Sequence, residues 1–376
     1  MRVAVAGAGA FGRNHLRVVR ELESAGTGVA LVAAVEPDAA RAAEAAKQYG
    51  IKVFASTDEL LNADLKLHAA CVAVPTVAHH TVAAALLEAG LDLLVEKPLA
   101  ANLKEADDLI ERAERRGRIV QPGHLERFNP AVLTVEAKLK RPMFFEAHRL
   151  SVFTPRALDV DVVLDLMIHD LDIVLTFAKS PVREVRAVGL PILSPKVDIA
   201  NVRVEFETGC VANFTASRVS TERVRKLRFF EPRRYVSVDY ARRDVLVIRV
   251  DAAGTGGAGA TASGAGGEAA SRLMSMALAA MAADNADATL LSKLTMEDKT
   301  GDKSGLAPGL SFLKPEVAQG EPLRLEIESF LESVRTRKEP RVTARQGRAA
   351  LELALEIQAS MAAHAERAGL VDFFKS

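Results

Sequence analysis

Gly7, Gly9 and Gly12 follow a short apolar run, Val3-Ala4-Val5-Ala6, at the spacing G-x-G-x-x-G, and the chemistry this offers is phosphate binding by backbone. Gly7 permits a tight turn, Gly9 lets a pyrophosphate approach without a Cβ in the way, and Gly12 allows close helix-strand packing. Ala10 and Phe11 complete the turn, and the free N–H groups of the next helix face the phosphates. The following apolar run, Val29 to Val35, ends in Glu36, 24 residues beyond Gly12. An acid about 20 residues past such a fingerprint accepts hydrogen bonds from the adenosine ribose and repels a 2′-phosphate. Together these residues predict an NAD site, although Arg41 is close enough in sequence to blur the preference over NADP.

Two further segments carry reactive side chains. Glu96-Lys97-Pro98 ends the apolar run Leu91 to Val95; the proline restricts Lys97 to an extended conformation, with the cis or trans state of the bond left open. Asp165 and His169 stand at i and i+4, on one face of an expected helix, and imidazole titrates near neutral pH. Each has a duller reading: Lys97 as a solvated strand-end charge, His169 as a satisfied core histidine. His79 follows Pro75 in a P-x-x-x-H pattern and either approaches the cofactor or simply begins a helix. His15 reads as structural, while Asp170 and Asp172 either share a substrate site or cap and solvate the helix.

The elements that must position these groups alternate in the first third of the chain. Strands are expected at 2–6, 29–35, 53–54, 67–74, 91–95 and 119–120, with helices at 13–24, 39–49, 78–89 and 103–116 and a short one capped near Ser56-Thr57-Asp58. That rhythm predicts a doubly wound parallel sheet, in which ligands sit beyond the carboxyl ends of the strands. Those ends carry Gly7 to Gly12, Glu36, Pro75-Thr76, Glu96-Lys97-Pro98 and Gln121, and their gathering at one rim favours the functional readings. The second half alternates with period two in seven runs between Met143 and Val250, which predicts a large open, mostly antiparallel sheet. A helix from about Val160 to Ala178 should pack on one face, leaving the other for a second copy of the chain in a dimer or tetramer. The fold class is thus α/β, a Rossmann domain at 1–122 plus an α+β domain at 123–376 for substrate and self-association. Residues 252–310 form a low-complexity insertion expected to be flexible, with a short amphipathic helix at 273–283. Order resumes near Pro322 with helices at 323–336 and 343–368.

At 376 residues the chain suits two domains. Its formal net charge is zero and its pI about 7.1, unlike the basic footprint of a nucleic-acid binder. Two cysteines, Cys71 and Cys210, lie in apolar contexts and read as buried thiols of a reducing compartment. No metal-ligand spacing of Cys or His appears, and no apolar run reaches the ~18 residues that span a bilayer. A cytoplasmic location is expected.

The G-x-G-x-x-G turn, Val95-Glu96-Lys97-Pro98 and Asp165-Leu166-Met167-Ile168-His169-Asp170 together resemble the Gfo/Idh/MocA oxidoreductases, sugar and cyclitol dehydrogenases, over nearly all of the chain outside the insertion. Gly123-His124-Leu125-Glu126-Arg127-Phe128-Asn129-Pro130 is most similar to the bacterial branch that oxidises the 3-hydroxyl of UDP-N-acetylglucosamine. The resemblance implies NAD-dependent oxidation of a sugar secondary hydroxyl, with myo-inositol or a free aldose as alternative substrates. It casts His169 as general acid/base, Asp165 as the group that orients its ring, and Lys97 as the cation that holds the reacting oxygen. Nucleotide-sugar recognition then needs cations and amides, for which Arg127, Asn129 and Arg156 are the candidates beside Lys97, Asp165 and His169, with Arg149, Arg218 and Arg223 as further cations. A non-catalytic sensor of dinucleotide or sugar is the competing class, and it has no use for a proton-transfer set.

Overall fold

The computed structural model describes residues 1–154, 160–250 and 310–374. Strands β1 (Arg2–Ala6), β2 (Ala30–Val35), β3 (Lys52–Phe54), β4 (Ala69–Val72), β5 (Asp92–Glu96) and β6 (Val120–Gly123) form one parallel sheet in the order β3-β2-β1-β4-β5-β6. The connecting helices are α1 (Gly12–Ser24), α2 (Ala39–Tyr49), α3 (Thr57–Asn62), α4 (Thr76–Glu88) and α5 (Leu103–Arg116). Local chemistry sets their limits. Asp38, Ser56 and Asn102 cap α2, α3 and α5 by accepting the N–H of Arg41, Glu59 and Glu105, and Gly50 and Gly117 end α2 and α5 in the left-handed conformation. Strand order reverses between β1 and β4, which opens a crevice at their carboxyl ends.

After β6 come a 3-10 turn, Leu125–Phe128, and α6 (Pro130–Glu136), neither of which the strand-and-helix periodicity had indicated. The second sheet has eight strands: β7 (Phe144–Leu150), β8 (Val182–Leu190), β9 (Ile199–Phe206), β10 (Val211–Ser217), β11 (Val224–Glu231), β12 (Arg234–Asp239), β13 (Asp244–Val250) and β14 (Leu310–Leu313). Their order is β14-β13-β12-β11-β7-β10-β9-β8, antiparallel except where β10 runs parallel to β7. β14 corrects the expectation that order resumes only near Pro322, since four residues suffice to extend the edge beside β13. The helix expected at 273–283 lies outside the described residues.

Inward residues alternate along the strands, for instance Val202, Val204 and Phe206 on β9 and Leu227 and Phe229 on β11, and pack on α7 (Ile168–Ala178) and on α9 (Ala344–Arg367). Each fully buried Val, Leu or Phe contributes about 1.5–3 kcal/mol. α8 (Pro322–Thr336) packs Ile327, Phe330 and Leu331 on Val3, Val5 and Leu16 of the first sheet layer, so the chain returns to the first domain after the second sheet. Among the described residues no helix is long and apolar enough to cross a membrane.

Candidate active site

The crevice begins at the turn after β1. A Cβ on Gly7 (φ +97°) would stand 2.5 Å from the Ala73 carbonyl oxygen, and one on Gly12 would stand 2.0 Å from the Gly7 carbonyl oxygen, whereas a Cβ on Gly9 meets nothing within 4 Å. Two glycines are thus demanded by backbone packing, while the third fronts open space at the start of α1, a cradle that fits a pyrophosphate. Gly12→Ala is expected to weaken NAD binding at least tenfold and to destabilise the fold by about 1–3 kcal/mol through overpacking. Calorimetric titration and thermal melting would read both, and wild-type affinity would contradict this account.

Glu36, buried at the end of β2, accepts the Ala8 N–H at 2.9 Å, the Asp38 N–H at 3.0 Å and the Arg41 guanidinium at 2.9 Å. Burial opposes ionisation, but these three donors outweigh it and hold the carboxyl below its ordinary range. The carboxylate is therefore charged and fixed beside the phosphate turn, with Arg41 laid directly upon it.

At the end of β4, Pro75 and Thr76 open α4, and His79 turns back from that helix. Its Nδ1 lies 2.8 Å from the Pro98 carbonyl oxygen and its Nε2 2.9 Å from that of Val74. A neutral imidazole donates to only one of these, and burial keeps the ring below its ordinary pKa. His79 thereby fastens the Lys97-Pro98 bond, which is cis, to the end of β4. Next to it, Glu96 accepts from His15 of α1 at 2.7 Å. Although burial works against it, contacts with Cys71 and Glu96 raise the His15 pKa to about 10, so the dinucleotide helix is tied to the strand that carries Lys97. Gln121 differs from its expected place at the cofactor rim: it is fully buried, and its amide meets the Glu326 carbonyl of α8 at 3.4 Å. The reason is that α8 folds back over β5, which sequence periodicity does not show.

Lys97 reaches across to the second domain. Its ammonium donates to the carbonyl oxygens of Asp165 at 2.5 Å and Leu164 at 3.4 Å, and lies 3.8 Å from the Asp165 carboxylate. Burial lowers its pKa, partly offset by Asp165 and Glu96. The carbonyls it meets belong to a π turn, Val163–Met167, that precedes α7; such turns recur at functional sites. His169 follows on the first turn of α7. Burial first, then the charges of Lys97, Arg149, His124 and Arg225, push its pKa well below 6.5, so the ring is neutral and the Lys97 field acts on it. The expected Asp165-to-His169 contact is absent: the π turn loosens the helical spacing, Asp165 faces Lys97, and His169 Nδ1 is buried without a partner among the described residues.

The predicted substrate cations are mostly occupied elsewhere. Arg127 is buried and bonds Thr176, Asp172 (3.4 Å) and the Arg341 carbonyl (3.3 Å). Asn129 caps α6 and bonds Glu126 and the Tyr240 carbonyl, each at 3.0 Å. Both are spent on internal contacts, because the turn that carries them is folded between α7 and α8. Arg149 is likewise enclosed, gripping Asp170 at 2.7 and 3.0 Å and Glu126 at 3.1 Å, and Arg218 is buried against Asp198 at 2.6 Å. Asp170 and Asp172 are therefore internal counterions rather than solvated helix charges. Arg156 lies outside the described residues. Arg225, which the sequence did not single out, sits opposite Arg149 in the β11–β7 register; the residue is partly open to solvent, burial and Arg149 lower its pKa against the pull of Glu126 and Asp170, and no carboxylate lies within 4 Å among the described residues. The only hint was period two, which puts Arg225 on the same face as the inward Leu227 and Phe229.

Residues 1–124 match the model described as "Oxidoreductase family, NAD-binding Rossmann fold", and residues 131–232 match "GFO/IDH/MocA C-terminal domain". The chain belongs to the GFO/IDH/MocA oxidoreductase family. It is an NAD-binding oxidoreductase, and its named relatives are dehydrogenases. UDP-N-acetylglucosamine 3-dehydrogenase of Acidithiobacillus ferrooxidans is 38% identical over 64% of this chain and 74% of its own length. A solved structure of that enzyme superposes with a TM-score of 0.76 at 30% identity, covering 96% of this chain and 98% of the other. Inositol 2-dehydrogenase of Leifsonia xyli is 33% identical over 49% of this chain and 56% of its own. The NAD-binding Rossmann model of the GFO/IDH/MocA family, with dehydrogenase relatives, supports NAD as the cofactor.

Proposed function

We propose that the protein oxidises the 3-hydroxyl of UDP-N-acetylglucosamine to a ketone, giving a 3-keto sugar suited to transamination in lipid A or surface polysaccharide synthesis. NAD, when bound, supplies the nicotinamide carbon that accepts hydride. Lys97 binds the reacting oxygen and favours its alkoxide form, and neutral His169 takes the hydroxyl proton as general base. Asp165 steadies Lys97 and leaves its second oxygen for a neighbouring sugar hydroxyl.

The observation that favours a nucleotide sugar over a cyclitol is Arg225. Its guanidinium is near enough to act on His169, burial and the Arg149 charge lower its pKa, and no carboxylate lies within 4 Å of it among the described residues, so a diphosphate would supply the counter-charge that a neutral inositol cannot. The identity with an inositol dehydrogenase keeps the cyclitol as the second reading.

The test incubates the protein and NAD with UDP-N-acetylglucosamine, myo-inositol and free aldoses. 2-Oxoglutarate with an aminotransferase pulls an uphill oxidation forward, and mass spectrometry identifies the keto product. Turnover of inositol without turnover of the UDP-sugar would overturn the proposal. Arg225→Ala is expected to raise KM for the UDP-sugar about tenfold or more, from loss of a charge-assisted contact, and to leave NAD affinity unchanged.

A further inference from the structure

Three ring nitrogens inside the site have no hydrogen-bond partner among the described residues: Nδ1 of His169 and both nitrogens of His124. Buried polar groups are nearly always satisfied, so three together in one place call for a shared explanation. His124 stands between β6 and the 3-10 turn and is 1% exposed. Its Nδ1 lies 3.9 Å from the carboxylate of Asp172, which is itself buried. Asp172 and His169 are i+3 and i on α7, neighbours on one face of the helix. A ring that approaches Asp172 therefore lies along the same face that carries His169.

The chemistry gives this placement a purpose. For His169 to accept a proton at Nε2, its Nδ1 must carry the hydrogen of the neutral ring, and that N–H needs an acceptor to fix both tautomer and orientation. Asp165, the acid the sequence offers for this, is turned to Lys97. With Nδ1 of His124 turned to Asp172, its Nε2, which has no partner among the described residues and lies beside Gly347 of α9, is the nitrogen left to accept.

We propose that His124, braced by Asp172, is a positioning residue for His169: the His169 Nδ1–H donates through an ordered water to His124, and His124 Nδ1–H is directed at the Asp172 carboxylate. The arrangement parallels the logic of a carboxylate orienting a catalytic imidazole, with a second imidazole interposed. It rests on the reading of His169 as the base. The groups facing His124 are Asp172, Arg127, Lys97 and Glu96, and those facing His169 are Lys97, Arg149, His124 and Arg225. Burial keeps both rings neutral, which is the state this chain of donors needs.

The experiment combines nitrogen-15 histidine NMR of the NAD-saturated protein with steady-state kinetics of His124→Phe, which keeps a ring of similar shape without nitrogens. The expected result is an Nδ1–H tautomer of His169 in the wild type that is lost in His124→Phe. With it, kcat falls about 10- to 100-fold, the range for losing a partner of a working ligand, while KM and NAD affinity stay within twofold and the acid limb of kcat/KM moves. His124→Gln, which retains an acceptor, should recover part of the rate and reads the same NMR signal if the phenylalanine variant does not fold. An unchanged His169 tautomer together with an unmoved pH profile in a folded His124 variant overturns the proposal, whatever happens to thermal stability. If His169→Asn turns over at the wild-type rate, the base reading fails first; if it is inactive while His124→Phe is normal, only the positioning role falls.

Discussion

Lys97→Met lowers kcat/KM by about 10²- to 10³-fold, the cost of removing one donor aimed at developing negative charge in an enclosed site, and leaves NAD affinity within a few-fold of wild type. Methionine preserves most of the apolar stem, so the cation is what is lost. The ammonium is placed from both domains at once: Lys97 leaves the end of β5, His79 holds the neighbouring Pro98 carbonyl at 2.8 Å, and the π-turn carbonyls of Leu164 and Asp165 receive its tip. A substrate oxygen bound there meets a donor that needs little rearrangement, which is the condition under which such a group contributes most. Steady-state kinetics alongside calorimetric NAD titration checks the prediction. A variant within threefold of wild type would remove Lys97 from the chemistry.

The second large effect belongs to His169. His169→Asn keeps a polar side chain of smaller size but no titrating base, and should cost 10²- to 10⁴-fold in kcat. The wild-type pH profile carries a signature of the same groups. Since burial and the surrounding cations push His169 well below 6.5, the ring stays neutral, and activity persists, to more acidic pH than an unperturbed imidazole would allow. Burial also lowers Lys97 below 10.5, and Lys97 must stay protonated to act. Activity therefore declines at high pH before an ordinary lysine would titrate. Both limbs of the kcat/KM bell are thus displaced downward, and they belong to the coupled pair rather than to either residue alone. In His169→Asn the acid limb should vanish while the alkaline one remains. An acid limb that survives unaltered would assign it to another group.

Much of the crevice could be read from local signals. A glycine triplet, a strand-end acid and a proline-fixed lysine each need only their own neighbours to declare a turn, a strand end or an extended residue, and the parallel alternation then brings them to one rim. The cap at Ser56-Thr57-Asp58 placed a helix start for the same reason. The buried electrostatics were not legible in this way. Arg127 and Asn129 looked like free ligand-binding groups because nothing near them in sequence announces Asp172, Thr176, Arg341 or Tyr240 as their partners. Asp165 and His169 looked like a pair because helical spacing alone puts them on one face. The π turn, whose carbonyls of Leu164 and Asp165 meet Lys97, separates their roles.

What the sequence by itself determined is the parallel sheet, its phosphate turn, the period-two second sheet and the set of groups able to do redox chemistry at a carbinol carbon. These follow from backbone geometry and from side-chain period, which are properties of short segments. Tertiary structure alone decided which charges neutralise one another, which guanidinium has no carboxylate close by among the described residues, and which nitrogen of which histidine lacks a partner. Such choices are set by contacts such as Lys97 with Asp165 or Arg127 with Arg341, between residues far apart in the chain. In a low-dielectric interior each pairing changes the energy of every other, so no segment carries the answer alone.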